Sequence, residues 1–159
     1  MKTVFTKEEI LDGKGCYSEQ HVKDLFKRYK SETYTINQIL EADIDYDDKI
    51  WFVHHNCELT LFELDIIFLM CLKKSLIIME KCLPNDRRYR EYVEMYELCV
   101  NKNEVVDITI KNSEMREKYD SAVNSYEEAN KLDVFEELNK IYRENNIFTY
   151  IQFFNQYKS

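Results

Sequence analysis

Glycine occurs at only two of 159 positions, Gly13 and Gly15, and proline at one, Pro84. Tight β-turns need residues that tolerate positive φ, phosphate-cradling loops need backbone that approaches a ligand closely, and β-sandwiches need such sites every few residues. Their scarcity excludes most nucleotide-binding folds and predicts an all-α chain. Basic charge is also short, with 22 Lys and Arg against 30 Asp and Glu and a net charge of −8. Counterion release needs a basic face, so direct nucleic-acid binding is not expected and a basic partner is. No long uncharged apolar run exists. The richest stretch, residues 59–79, carries Glu63, Asp65, Lys73 and Lys74 and reads as a buried helix, not a membrane span. Residues 1–15 lack the apolar run of a signal peptide, and the five cysteines (Cys16, Cys57, Cys71, Cys82, Cys99) are odd in number and irregularly spaced. Reduced thiols in a cytoplasmic protein are the expectation.

What is present suits a helical core. Hydrophobic residues make up 45% of the chain and aromatics 14%, with 12 Tyr, a residue that packs its ring while keeping its hydroxyl in water. Thr6 before Glu8 and Glu9 caps a short helix that stops at Gly13 and Gly15, and Ser18 caps a second with Val22, Leu25, Phe26 and Tyr29 at helical spacing. Thr35 with Gln38 forms a capping box, as do Thr60 with Glu63 and Asp133 with Glu136. Residues 50–53, Ile-Trp-Phe-Val, fit a buried strand or a helix; helix is preferred because no hairpin chemistry lies nearby. The expected fold is a compact bundle of about seven short and medium helices around a central helix at 61–82 and its antiparallel neighbour at 86–101. Pro84 divides that pair, and Asp86 can cap the second member.

After Asn101 apolar density falls, so a single domain over 1–159 has a natural subdivision into a core, 1–101, and an acidic, aromatic-ended helical extension, 102–159. Residues 105–110 are the best candidate strand. Asn145 and Asn146 are expected to end a helix, and the terminal IFTYIQFFNQY to dock on the protein's own core, or on a second copy to give a homodimer.

No catalytic, cofactor or metal signature is intact. Asp43, Asp45 and Asp47 imitate alternate ligands of a calcium loop, but Asp48 stands where glycine makes the turn and His54 where a glutamate closes the shell. His54, His55 and Cys57 are close together, yet neighbouring helical histidines diverge by about 100° and the spacing is wrong for a zinc finger. Cys16, before a helix start, is the best-placed thiol for a small enzyme. Arg87, Arg88 and Arg90, clustered around Tyr89, are set to pair with Glu91, Glu94 and Glu97 along a helix, or to read a phosphate backbone or an acidic protein loop. Tyr119, Tyr126, Glu127 and Glu128, on the sparsest helix, join these arginines as partner-binding candidates.

The segments KGCYSEQHVKDL, TINQILEADIDYDDKIWFV and CLPNDRRYREYVEMYE resemble small helical proteins encoded in bacterial and phage genomes, over roughly residues 6–97. After Asn101 the chain departs from the alanine-rich tail of that group. The resemblance implies a mobile-element origin and no catalytic residues. By analogy it suggests a noncatalytic protein that binds another protein, as an inhibitor of a bacterial defence complex of the anti-CRISPR kind, through acidic and tyrosine-rich surface. A dimeric structural or immunity protein and an enzyme using Cys16 are the alternatives.

Overall fold

Thr6 and Thr35 each end a three-residue strand and begin a helix. In the computed structural model, residues 1–12, 20, 23, 27, 28, 30–102, 113–129 and 134–156 are described, with backbone only at 12, 113–116, 126, 127, 129 and 134–142. Strand β1, Val4–Thr6, pairs antiparallel with β2, Thr33–Thr35, in the register Val4 to Thr35, Phe5 to Tyr34 and Thr6 to Thr33. The ladder continues past both ends, where Ile36 N–H donates to Thr3 O at 2.8 Å and Lys7 N–H to Glu32 O at 3.4 Å. This small sheet is a departure from the all-helical expectation. Its strands come from segments far apart in sequence, and no hairpin turn announces them.

Helix α1, Lys7–Asp12, starts with a reciprocal cap: Glu9 N–H donates to Thr6 Oγ at 3.2 Å and Thr6 N–H to the Glu9 carboxylate at 2.8 Å. Helix α2, Ile36–Glu41, repeats the device with Thr35 and Gln38, as expected. Of the predicted second helix, Gln20, Lys23, Lys27 and Arg28 are helical and exposed; its remainder, with Gly13, Gly15, Cys16 and the candidate strand at 105–110, lies outside the described residues.

Residues 50–53 are helical, inside α3, Tyr46–Asn56. Then come α4, Leu61–Cys82, α5, Arg88–Asn101, α6, Ser113–Ala129, and α7, Val134–Gln156. Helices dominate, and the all-α class holds apart from the sheet. Pro84 sits in the turn between α4 and α5, which Asp86 N–H closes onto Leu83 O at 3.0 Å. Helix α7 runs through Asn145 and Asn146, which do not end it. Among the described residues no helix is long and apolar enough to cross a membrane.

Contacts divide the chain into Met1–Thr60 with Ile147–Ser159, and Leu61–Asn146. The cut expected after Asn101 falls inside the second unit. In the first, Phe5 meets Phe52 edge to face at 4.9 Å, and Tyr150, Phe153 and Phe154 of α7 are buried. In the second, Leu69, Leu72 and Met79 of α4 pack with Tyr89, Tyr92, Val93 and Tyr96 of α5 and Ala122 of α6.

Candidate functional site

Two of the three clustered arginines are engaged inside the second unit. Arg88 Nε donates to Asp86 at 2.9 Å, Nη2 donates to Ser125 Oγ at 2.7 Å, and Nη1 bonds Ser121 Oγ. Asp86 also accepts the Arg88 N–H at 3.0 Å, capping α5, and the Arg88 side chain holds its carboxyl below the usual range. Arg90 donates to Glu80 at 2.6 Å and lies 3.9 Å from Glu94. Among the described residues, the expected pairing along α5 is met by Arg90 and Glu94. Glu91 takes Lys118 of α6 at 3.1 Å, and Glu97 takes Lys73 of α4. Arg87 is exposed just before α5.

The described tyrosine side chains are mostly inside. Tyr119 is half-buried with its ring 4.9 Å from that of Tyr92 and 6.0 Å from Tyr89, so it serves packing between α5 and α6, not the open surface expected of it. Tyr34, Tyr89, Tyr92, Tyr96 and Tyr150 are buried, and Tyr46 is half-buried. Among the described tyrosine side chains none is exposed; Tyr17, Tyr29, Tyr126, Tyr142 and Tyr157, on which the expectation of a tyrosine-rich surface also rests, have side chains outside the described residues. Tyr96 donates to Asp65 at 2.6 Å, and burial first, then this bond, push its phenol well above the ordinary range. Glu128 is exposed on α6; Tyr126 and Glu127 lie on the same helix with side chains outside the described residues.

What the surface does offer is carboxylate. Between α2 and α3 the chain bends, Ile44 N–H closing onto Ala42 O at 3.0 Å. Buried Ala42 and half-buried Ile44 anchor the bend, while Glu41, Asp43, Asp45 and Asp47 are exposed. Residues 41–48 contain five acids and no base. Asp45 precedes α3 without a side-chain cap bond, and Asp47 and Asp48 occupy the first turn, where negative charge complements the helix dipole. Half-buried Lys49 follows them directly; burial lowers its pKa and Asp43 partly restores it. Among the described residues no group of three His, Cys, Asp or Glu side chains could hold a metal ion, and Asp43, Asp45 and Asp47 form no such cluster.

His54 and His55 diverge. His54 Nε2 lies 3.0 Å from Tyr150 Oη, whereas the His55 ring stacks on Trp51 at 4.1 Å and its Nδ1 meets Trp51 O at 2.8 Å. The i, i+4 spacing of Trp51 and His55 was the available sign of that stack. Cys57 is fully buried, and burial pushes its thiol up to about 12, which removes thiolate chemistry there near neutrality. Comparison with models of known protein families, with curated proteins and with solved structures finds no match to this chain.

Proposed function

We propose that this protein works without catalysis, in the cytoplasm, by binding another protein whose surface is basic. Supporting the reading is one observation: Glu41, Asp43, Asp45 and Asp47 stand exposed together on a bend fixed from beneath by Ala42 and Ile44. Carboxylates held on a packed bend present charge with little ordering left to lose on association. A nucleic-acid-binding groove is the basic surface such a row imitates. The resemblance to mobile-element proteins suggests an effector of a bacterial defence complex as the target class, with this chain as a stoichiometric, anti-CRISPR-like inhibitor. Of the residues first considered for contact, Glu128 and Arg87 remain as exposed side chains, while Arg88, Arg90 and Tyr119 have internal roles.

The test begins with capture of a partner and proceeds to the salt dependence of binding. Affinity should fall about tenfold or more between roughly 50 and 300 mM salt, because screening shortens the reach of exposed charges. Replacing Glu41 with Gln and Asp43, Asp45 and Asp47 with Asn should reproduce most of that loss without unfolding the protein. Affinity indifferent to both salt and the replacements would rule the mechanism out.

A further inference from the structure

Helix α3 carries an aromatic stack on its outer side, next to the acidic bend. Its inner side is set by Phe52 and Val53, both fully buried. Asp47, Trp51 and His55 follow one another in four-residue steps, each about 40° round the helix from the last, so they line one stripe. Phe52 lies about 100° round from Trp51 and Val53 about 160°, which turns that stripe away from the core. Asp47 and His55 are exposed, and Trp51, the chain's single tryptophan, is half-buried. The His55 ring lies over the indole at 4.1 Å with 13° between the planes, and its Nδ1 donates to Trp51 O at 2.8 Å. That bond orients the imidazole, so the stack is assembled before any partner arrives.

The fold itself draws little from this indole, whose ring contact among the described residues is with His55. Its electrostatic setting is more telling. Asp47 stands one turn before Trp51, with Glu41, Asp43 and Asp45 on the bend, all exposed. Lys49, two residues before Trp51, lies about 160° round from it, on the other side of the helix. A nucleobase would stack on an indole but would bring phosphate into that negative field. A cation is attracted by both, since tryptophan is the aromatic ring that binds cations best. Between the two basic side chains the geometry favours arginine: its planar guanidinium stacks on a ring while its N–H fork bonds a carboxylate, which an ammonium does not reproduce. Side chains four apart on a helix start about 5–6 Å from each other, so one guanidinium laid on the stack reaches Asp47.

We propose that the Trp51–His55 stack, together with Asp47, is the receptor for an arginine side chain on the surface of a basic protein partner. The inference rests on the reading of the bend as a surface for such a partner, and adds the residue type that is selected. The bend attracts positive charge of either kind. The stack distinguishes arginine from lysine, and Trp51 is the anchor of the contact, as buried tryptophans commonly are at protein interfaces.

Acetylated hexa-arginine and hexa-lysine amides, titrated into the isotope-labelled full chain at roughly 50 mM salt, test this by NMR. The single tryptophan gives a single indole N–H resonance, which reports on the site directly. Hexa-arginine should bind about two- to fivefold more tightly than hexa-lysine and move the indole resonance further at saturation. Trp51→Leu should bring the two affinities together while leaving that for hexa-lysine unchanged. Equal affinities in the wild type, an unmoved indole, or an arginine preference that survives Trp51→Leu overturns the anchor and leaves the bend's attraction for basic surfaces standing. Binding of neither peptide overturns the reading of the bend, and the anchor with it. Should Trp51→Leu fail to fold, the wild-type resonance decides: a shift with hexa-lysine as large as that with hexa-arginine refutes the selection.

Discussion

Glu58 carries a consequence of the chain's poverty in glycine. It follows α3 with φ of +52°, the left-handed conformation that usually falls to glycine at a helix end. A side chain with Cβ costs roughly 1–2 kcal/mol there, so Glu58→Gly should raise stability by about 0.5–1 kcal/mol once the freer unfolded chain is counted. Urea unfolding followed by Trp51 fluorescence would read this as a higher midpoint; a lower one would mean that the conformation carries no strain. Asp65 and Tyr96 give the opposite sign. Tyr96→Phe leaves a buried carboxylate short of its donor and should cost about 1–3 kcal/mol, whereas Asp65→Asn keeps an acceptor oxygen and should cost less. Both Tyr92 and Tyr96 are pushed up chiefly by burial, so the unfolded chain ionises first and their contribution is lost as pH climbs past about 10. In sequence, Asp65 is visible only as a charge that spoils a membrane span. Its partner lies 31 residues away, and no local pattern joins them.

Helix starts were legible because capping is local: Thr6 with Glu9 and Thr35 with Gln38 lie three residues apart and need nothing else. The sheet was not, since β1 and β2 have three residues each and meet only when the chain closes on itself. The caps also explain why the sheet stops at two strands. With Ile36 bonded to Thr3 and Lys7 to Glu32, the N–H groups of Thr6 and Thr35 point away from the ladder, and the Glu9 and Gln38 side chains take them. Thr35→Ala should therefore cost about 1 kcal/mol through the helix cap, measurable as a lowered urea midpoint. A loss below about 0.3 kcal/mol would show the Gln38 side chain to be sufficient alone. Asparagines misled in the other direction. Asn145 and Asn146 disfavour a helix by only about 0.7 kcal/mol each, and burial of Phe153 and Phe154 beyond them outweighs that. The acidic bend was also legible, as a flawed calcium loop, but its exposure depends on Ala42 and Ile44 being drawn inward, which composition does not reveal.

At the scale of the molecule, the first contact unit is discontinuous: Met1–Thr60 is completed by Ile147–Ser159. The aromatic terminus is thus part of a core, and a shortened chain tests folding before it tests dimerisation. Burying each of Tyr150, Phe153 and Phe154 contributes about 1.5–3 kcal/mol, so removing all three forfeits roughly 5 kcal/mol or more. That is comparable to the whole stability of a small domain, about 5–15 kcal/mol. A chain ending at Asn146 should show red-shifted Trp51 emission and no cooperative unfolding of residues 1–60, while α4, α5 and α6 retain much of the far-ultraviolet helical signal. Their core of Leu69, Leu72, Tyr92, Val93 and Tyr96 includes nothing from Ile147 onward. If instead Trp51 emission and its urea midpoint are unchanged, the rings of α7 contribute nothing to that unit. The terminal aromatics would then be available to a second copy, and sedimentation of the full chain against the shortened one would show the dimer that the buried rings otherwise argue against.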